Sequence, residues 1–148
     1  MKGWIFYVPF LTQAAVIFFD EFYFHIRRGL PRWERIGHPL DTLSLIICIV
    51  AVLVFPFSRI TLILFLILAV ISCLFVTKDE FVHKEHCPAS EQWLHALLFL
   101  NHPVVLFSMG WMWFQGERYR PFLIMQLAVI SLFCVYQIIY WNVVWKEK

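Results

Sequence analysis

Charge is scarce in this chain. Only 15% of its 148 residues are Asp, Glu, Lys or Arg, while 61% are hydrophobic; a soluble domain carries about a quarter charged and roughly half apolar residues. That shortage leaves too little polar surface to coat a water-soluble globule, and it is the reverse of a disordered composition. A formal net charge of +2 supplies no basic field for nucleic acid, so a nucleic-acid binder is excluded too. Paired cysteines are also missing. Cys48, Cys73, Cys87 and Cys134 form no Cys-x2-Cys motif and three of them lie inside apolar runs, which reads as single buried thiols instead of a disulfide framework. Beyond Thr12 and Ala14 the first apolar run has no small-x-small cleavage signal, so it reads as a retained helix and not a signal peptide.

What the chain has in place of charge is apolar length. Crossing hydrocarbon takes about 20 apolar residues in a helix, and five segments qualify: residues 4–24, 40–57, 60–76, 90–114 and 122–145. The expectation is an all-α integral membrane bundle of five transmembrane helices, one domain over residues 1–148. A four-span alternative, with residues 4–24 lying on the surface, is disfavoured because that segment has no strong polar face. Ser58 and Arg59 alone link the second and third runs, which forces an antiparallel hairpin, and residues 115–121 form a polar turn punctuated by Gly116 and Pro121.

With five spans, the 25–39 and 77–90 loops and the C-terminus share one side. Eight of the twelve Lys and Arg and nine of the ten Asp and Glu fall there. The positive-inside rule places that side in the cytoplasm and the N-terminus outside. Tyr140, Trp141 and Trp145 read as an aromatic belt closing the last helix.

A phrase recurs in the two long loops. Asp20-Glu21-Phe22, His25, Glu34-x3-His38 is followed by Asp79-Glu80-Phe81, His83, Glu91-x3-His95, with the first Asp 14 residues from the second Glu in one copy and 12 in the other. We read a duplicated helical hairpin, repeat 1 over 4–57 and repeat 2 over 60–114, with 122–145 as an extra helix. A second register, His38-Pro39 against His102-Pro103, stays open, as does chance coincidence.

Residues three, four and seven apart share a helix face. Glu34, His38 and Asp41 have that spacing, Asp79, His83 and His86 repeat it, and Glu91–His95 and Glu21–His25 are four apart. Four helix ends then offer carboxylates and imidazoles at one membrane depth. Each such residue alone is more simply a solvated loop residue, and His38-Pro39 alone is more simply a helix start. As a set they are dense in an apolar chain, and ionisable groups at membrane depth are tolerated when paired or bound to metal. The expected metal ligands are Glu21, Glu34, His38, Glu80, His83, Glu91 and His95, with Asp20, His25, Asp41, Asp79 and His86 as further ligands or as groups orienting them.

Mixed oxygen and imidazole donors suit iron, manganese or zinc, and the count fits a carboxylate-bridged pair of ions. The set resembles that of the ferritin-like di-iron proteins, and its setting is similar to that of the membrane desaturases and hydroxylases. Departures are visible: only Glu80-x2-His83 has the ferritin-like spacing, and His83-x2-His86 is followed by Cys87 where a desaturase box has a further histidine. The phrase from Arg28 to Asp41 is similar to that of small bacterial membrane proteins, and the expected location is the bacterial inner (cytoplasmic) membrane.

The resemblance implies two divalent ions, iron first and zinc or manganese as alternatives, in an oxidoreductase acting on a membrane lipid or other hydrophobic small molecule with an electron donor as partner. Arg28 and Arg32, with Arg27 and Arg35, could grip a phosphate headgroup or merely set topology. His102, about 16 Å deeper than Glu91 at 1.5 Å per residue, could line a substrate cavity. The rivals are a zinc hydrolase, a divalent-metal transporter, which the apolar spans 43–54 and 60–76 disfavour, and a structural subunit.

Overall fold

The computed structural model describes residues 3–78 and 87–145. Among them there is no strand. Five helices make the fold: α1 (Gly3–Arg28), α2 (Arg32–Val54), α3 (Arg59–Thr77), α4 (Ala89–Phe114) and α5 (Gly116–Val144), each long and apolar enough to cross a membrane.

Local sequence explains the breaks between them. Gly29 ends α1 at φ 78°, a left-handed backbone that glycine adopts without steric cost. A Cβ there would also sit 2.5 Å from the Trp145 ring. At the α2–α3 turn, Ser58 Oγ accepts from Thr61 N at 3.2 Å while Thr61 Oγ1 accepts from Ser58 N at 2.9 Å, a reciprocal cap that satisfies orphan amides of the first turn.

The starts of α2 and α4 are congruent. Pro31 (φ −63°, ψ 156°) and Pro88 (φ −65°, ψ 156°) are the N-caps. Each is followed by x2-Glu-x3-His, so Glu34 and Glu91 stand in first turns, where the helix dipole favours a carboxylate. α2 begins at Arg32 and carries Pro39 inside it; a start near residue 40 is replaced by a helix that projects a charged turn beyond its apolar stretch.

α4 is the most buried helix and α3 the least. α2 packs along α5 and α3, and α4 along α1 and α3. α1 and α5 run in the same direction: Phe10 meets Phe122 edge-on near their starts, with ring centroids 5.1 Å apart, and Glu21 meets Trp141 near their ends. The starting half is filled by a core that includes Ile49, Val52, Phe65, Val105, Met109 and Met112. Large apolar side chains such as Leu11, Ile60, Leu74, Leu100 and Leu132 cover the outside, as expected of a surface that meets lipid.

All four cysteines are free thiols, Cys48 and Cys134 buried, matching the single-thiol reading.

Candidate metal centre

The acids and imidazoles gather where α1, α2 and α4 meet. α1 supplies three of them through a change of helix type: Asp20–His25 is π-helical. Hydrogen bonding from i to i+5 widens the turn, and such bulges recur at functional sites. Residues five apart then come into line, so Asp20, Glu21 and His25 all face inward. A regular α-helix would turn Asp20 well away from His25.

Asp20, Glu21, His25, Glu34, Glu91 and His95 are all buried, none more than 4% exposed; His38 is half-buried. Asp20, His25, Glu91 and His95 each offer one ligand atom, and these atoms lie within 4.8 Å of one another; His25, Glu34 and His38 form a second such group. His25 belongs to both. His25 Nε2 lies 3.3 Å from Asp20 Oδ2 and 3.6 Å from Glu91 Oε1 yet makes a hydrogen bond to neither. His95 Nε2 is 3.1 Å from Asp20 Oδ2. A buried His25 Nε2 that converges on two carboxylates without a hydrogen bond fits a shared cation.

Glu21 lies outside both groups and orients them. One of its oxygens is 3.3 Å from His25 Nδ1, and the other accepts a 2.7 Å hydrogen bond from Trp141 Nε1. A carboxylate behind a ligating imidazole fixes its tautomer and ring plane.

Arg28 enters the cluster from its exposed side. Its guanidinium donates to Glu91 Oε1 at 2.8 Å and to Glu34 Oε2 at 3.0 Å. Among the described residues, four buried carboxyl groups (Asp20, Glu21, Glu34, Glu91) face one arginine, and protonated carboxyls, protonated imidazoles or bound cations can make up the balance, since uncompensated buried charge is very costly.

Cys87, just before α4, feels the same field. Burial pushes its thiol up to about 12; the Arg28 guanidinium pulls the other way, and Glu91 and Glu34 add to the rise.

Other expected residues fall elsewhere. Asp41 is held by Lys78, with Nζ 2.7 and 2.8 Å from its two oxygens. Arg32 is exposed. Asp79, Glu80, His83 and His86 lie outside the described residues. His102 is buried within a polar chain: Gln13 Nε2 donates to its Nδ1 at 3.2 Å, and its Nε2 is 2.9 Å from Ser72 Oγ, itself 2.8 Å from Ser44 Oγ. With Nδ1 accepting, the neutral ring carries its proton on Nε2 and donates to Ser72.

The cluster forms the end wall of an apolar cavity of about 270 Å³ between the helices. Asp20, Glu21, His25, His38 and His95 line that end, and Phe10, Ile17, Leu45, Phe99 and Phe133 are among the side walls. The arrangement can hold a cation of intermediate hardness with its open side toward an apolar space.

Trp141 and the arginine's internal role were missed in the sequence. A tryptophan near a helix end reads as an interfacial anchor, and only the fold shows that it reaches residue 21. Comparison with protein-family models, with curated proteins and with solved structures finds no match for this chain.

Proposed function

We propose that this chain is a membrane-embedded metalloenzyme that binds a pair of divalent cations, iron by preference, and oxidises a lipid or other hydrophobic molecule at the cytoplasmic face of a bacterial inner membrane. One observation carries the reading: carboxylates and imidazoles from three helices gather in two overlapping groups (Asp20, His25, Glu91, His95 and His25, Glu34, His38), all buried but the half-buried His38, and Asp20, His25, His38 and His95 face an apolar cavity. Three acids and three imidazoles in those groups, with Glu21 behind His25, come near the four acids and two histidines of carboxylate-bridged di-iron sites in helical bundles.

A bound iron pair would supply two-electron chemistry with dioxygen. The overall balance is one C–H bond and one dioxygen, with two electrons and two protons from a reduced carrier protein, giving a hydroxyl group and a water. The chain's own residues hold and shield. Asp20, His25, Glu91 and His95 would ligate one ion; Glu34 and His38, with His25 at the boundary, lie where a second would sit. Glu21, fixed by Trp141, orients the His25 ring. The phenylalanine-lined cavity excludes water and admits an apolar substrate. The lysine and arginine bias of the loops supports a cytoplasmic site and an outside N-terminus.

A second reading has its own support. Asp20, His25, Glu91 and His95 alone make a complete four-donor set, and Arg28 already supplies positive charge between Glu34 and Glu91. A single zinc held by three of these four, with Glu91 left to Arg28 and a metal-activated water in the fourth position, would make a hydrolase.

Elemental analysis of detergent-purified protein decides between them. About two irons per chain supports the oxidase, one zinc supports the hydrolase, and no stoichiometric metal overturns both and leaves a structural helical bundle.

A further inference from the structure

The cavity has a second polar station above the acid–imidazole wall. On α1, Gln13 is seven residues before Asp20; on α4, His102 is seven residues beyond His95. Seven residues of helix rise about 10 Å, so both helices put the same distance between the two levels. At each level the helices are tied across, by Asp20–His95 below and Gln13–His102 above.

α5 contributes to the upper level as well. Phe122 packs on Phe10, and the two helices run in parallel, so Gln126, one turn after Phe122, reaches the depth of Gln13, one turn after Phe10. Gln126 lines the cavity.

These polar groups differ in what they have left to give. His102 has both ring nitrogens engaged, by Gln13 and Ser72. Gln13 Oε1 accepts from Asn101 Nδ2 at 3.1 Å while its amide nitrogen serves His102. The Gln126 amide takes no hydrogen bond from any described residue. An amide facing an apolar space at membrane depth is costly unless something satisfies it.

We propose that the cavity seats an elongated, mainly apolar molecule with one hydrogen-bonding oxygen, a hydroxyl or carbonyl, held by the Gln126 amide about 10 Å from the acid–imidazole wall. With C–C bonds of about 1.5 Å, that separation spans roughly eight bonds of an extended alkyl chain. The oxygen is anchored at Gln126, and the chain runs between Phe99, Ile130 and Phe133 toward His95. The volume, about 270 Å³, falls just below the roughly 300–1,000 Å³ typical of small-molecule sites, which favours a single narrow chain over a fused-ring body. That the far end is where chemistry occurs rests on the metalloenzyme reading; the binding mode does not.

The test uses 1-decanol and decane as probes on the full chain, stripped of metal with chelator, with retained ligand counted by native mass spectrometry. Wild type retains one 1-decanol at least about tenfold more strongly than decane, the scale of one or two hydrogen bonds in an apolar site. Gln126→Leu keeps the volume and retains the two probes alike. Ile130→Trp, filling the cavity one turn below Gln126, loses both. Equal retention of the probes by wild type, an alcohol preference that survives in Gln126→Leu, or binding unaffected by Ile130→Trp would each overturn the proposal. Metal content, measured separately on untreated protein, reports on the metalloenzyme reading alone.

Discussion

Replacing Glu91 by glutamine keeps the shape of the side chain and removes its charge, and the two roles open to Glu91 predict different thermal behaviour. Glu91 accepts a 2.8 Å hydrogen bond from Arg28 and is fully buried. If holding Arg28 is its whole role, the variant loses a hydrogen bond between charged groups, about 1.5–3 kcal/mol. For a chain of this size that lowers the unfolding midpoint by roughly 3–10 °C, whether or not metal is present.

If Glu91 is a metal ligand, the result splits by state. In chelator-treated protein the variant loses only the Arg28 hydrogen bond, while Arg28 keeps Glu34 at 3.0 Å, so the midpoint falls by no more than that loss. In metal-loaded protein at 100 times the dissociation constant, wild type gains about 2.7 kcal/mol from binding. Even a partner behind a ligand is worth 10–100-fold in affinity, so loss of a ligand removes most of that gain. The assay is thermal unfolding in detergent with and without chelator, beside elemental analysis. The control is Glu117→Gln: Glu117 is 86% exposed and 3.7 Å from Arg120 in the opposite polar turn, and its replacement leaves both readouts unchanged. Equal midpoint losses in the two states, or equal metal loss from Glu91→Gln and Glu117→Gln, would refute the metal assignment.

Three further outcomes test the fold and the field around the cluster. Gly29→Ala forces a side chain into a left-handed backbone and against Trp145, and destabilises by about 1–3 kcal/mol in thermal unfolding; a neutral result would mean the α1–α2 turn is not as described. Ser72→Ala removes the His102 Nε2 partner and costs about 1 kcal/mol in chemical unfolding, with no change in metal content. Cys87 alkylation stays slow at pH 8, where a thiol held near 12 is almost wholly protonated. Removing the Glu91 carboxylate takes away a negative neighbour that favours the protonated form, so Glu91→Ala speeds labelling at pH 8; slower labelling would contradict the sign.

The five helices were legible because span length and hydropathy depend on composition alone. Their ends were not. Hydropathy stops at the hydrocarbon edge, whereas backbone hydrogen bonding carries α2 back to Arg32 and α1 on to Arg28. Glu34–His38 and Glu91–His95 were legible from four-residue spacing because they lie on regular α-helix. The α1 contribution was only half visible, since 3.6-residue periodicity pairs Glu21 with His25 but has no means of bringing in Asp20; the π-helical turn does. Asp41 shares the face of Glu34 and His38, yet its depth brings it to Lys78, a partner 37 residues away that no local pattern encodes. For Arg28 the sequence offers a headgroup contact or a topology signal, both facing outward. Its turn inward is fixed by two buried carboxylates from separate helices, a tertiary fact.

The Trp141–Glu21 hydrogen bond has a consequence for biogenesis. Every described acid and imidazole of the cluster has been synthesised by residue 95, but the indole that sets Glu21 arrives 46 residues later, in the second π-helical turn. As the chain emerges, the first four helices can associate while Glu21 still lacks its donor. The last helix therefore acts as a latch: until it docks, Glu21 and the imidazole it orients lack the indole hydrogen bond that fixes them.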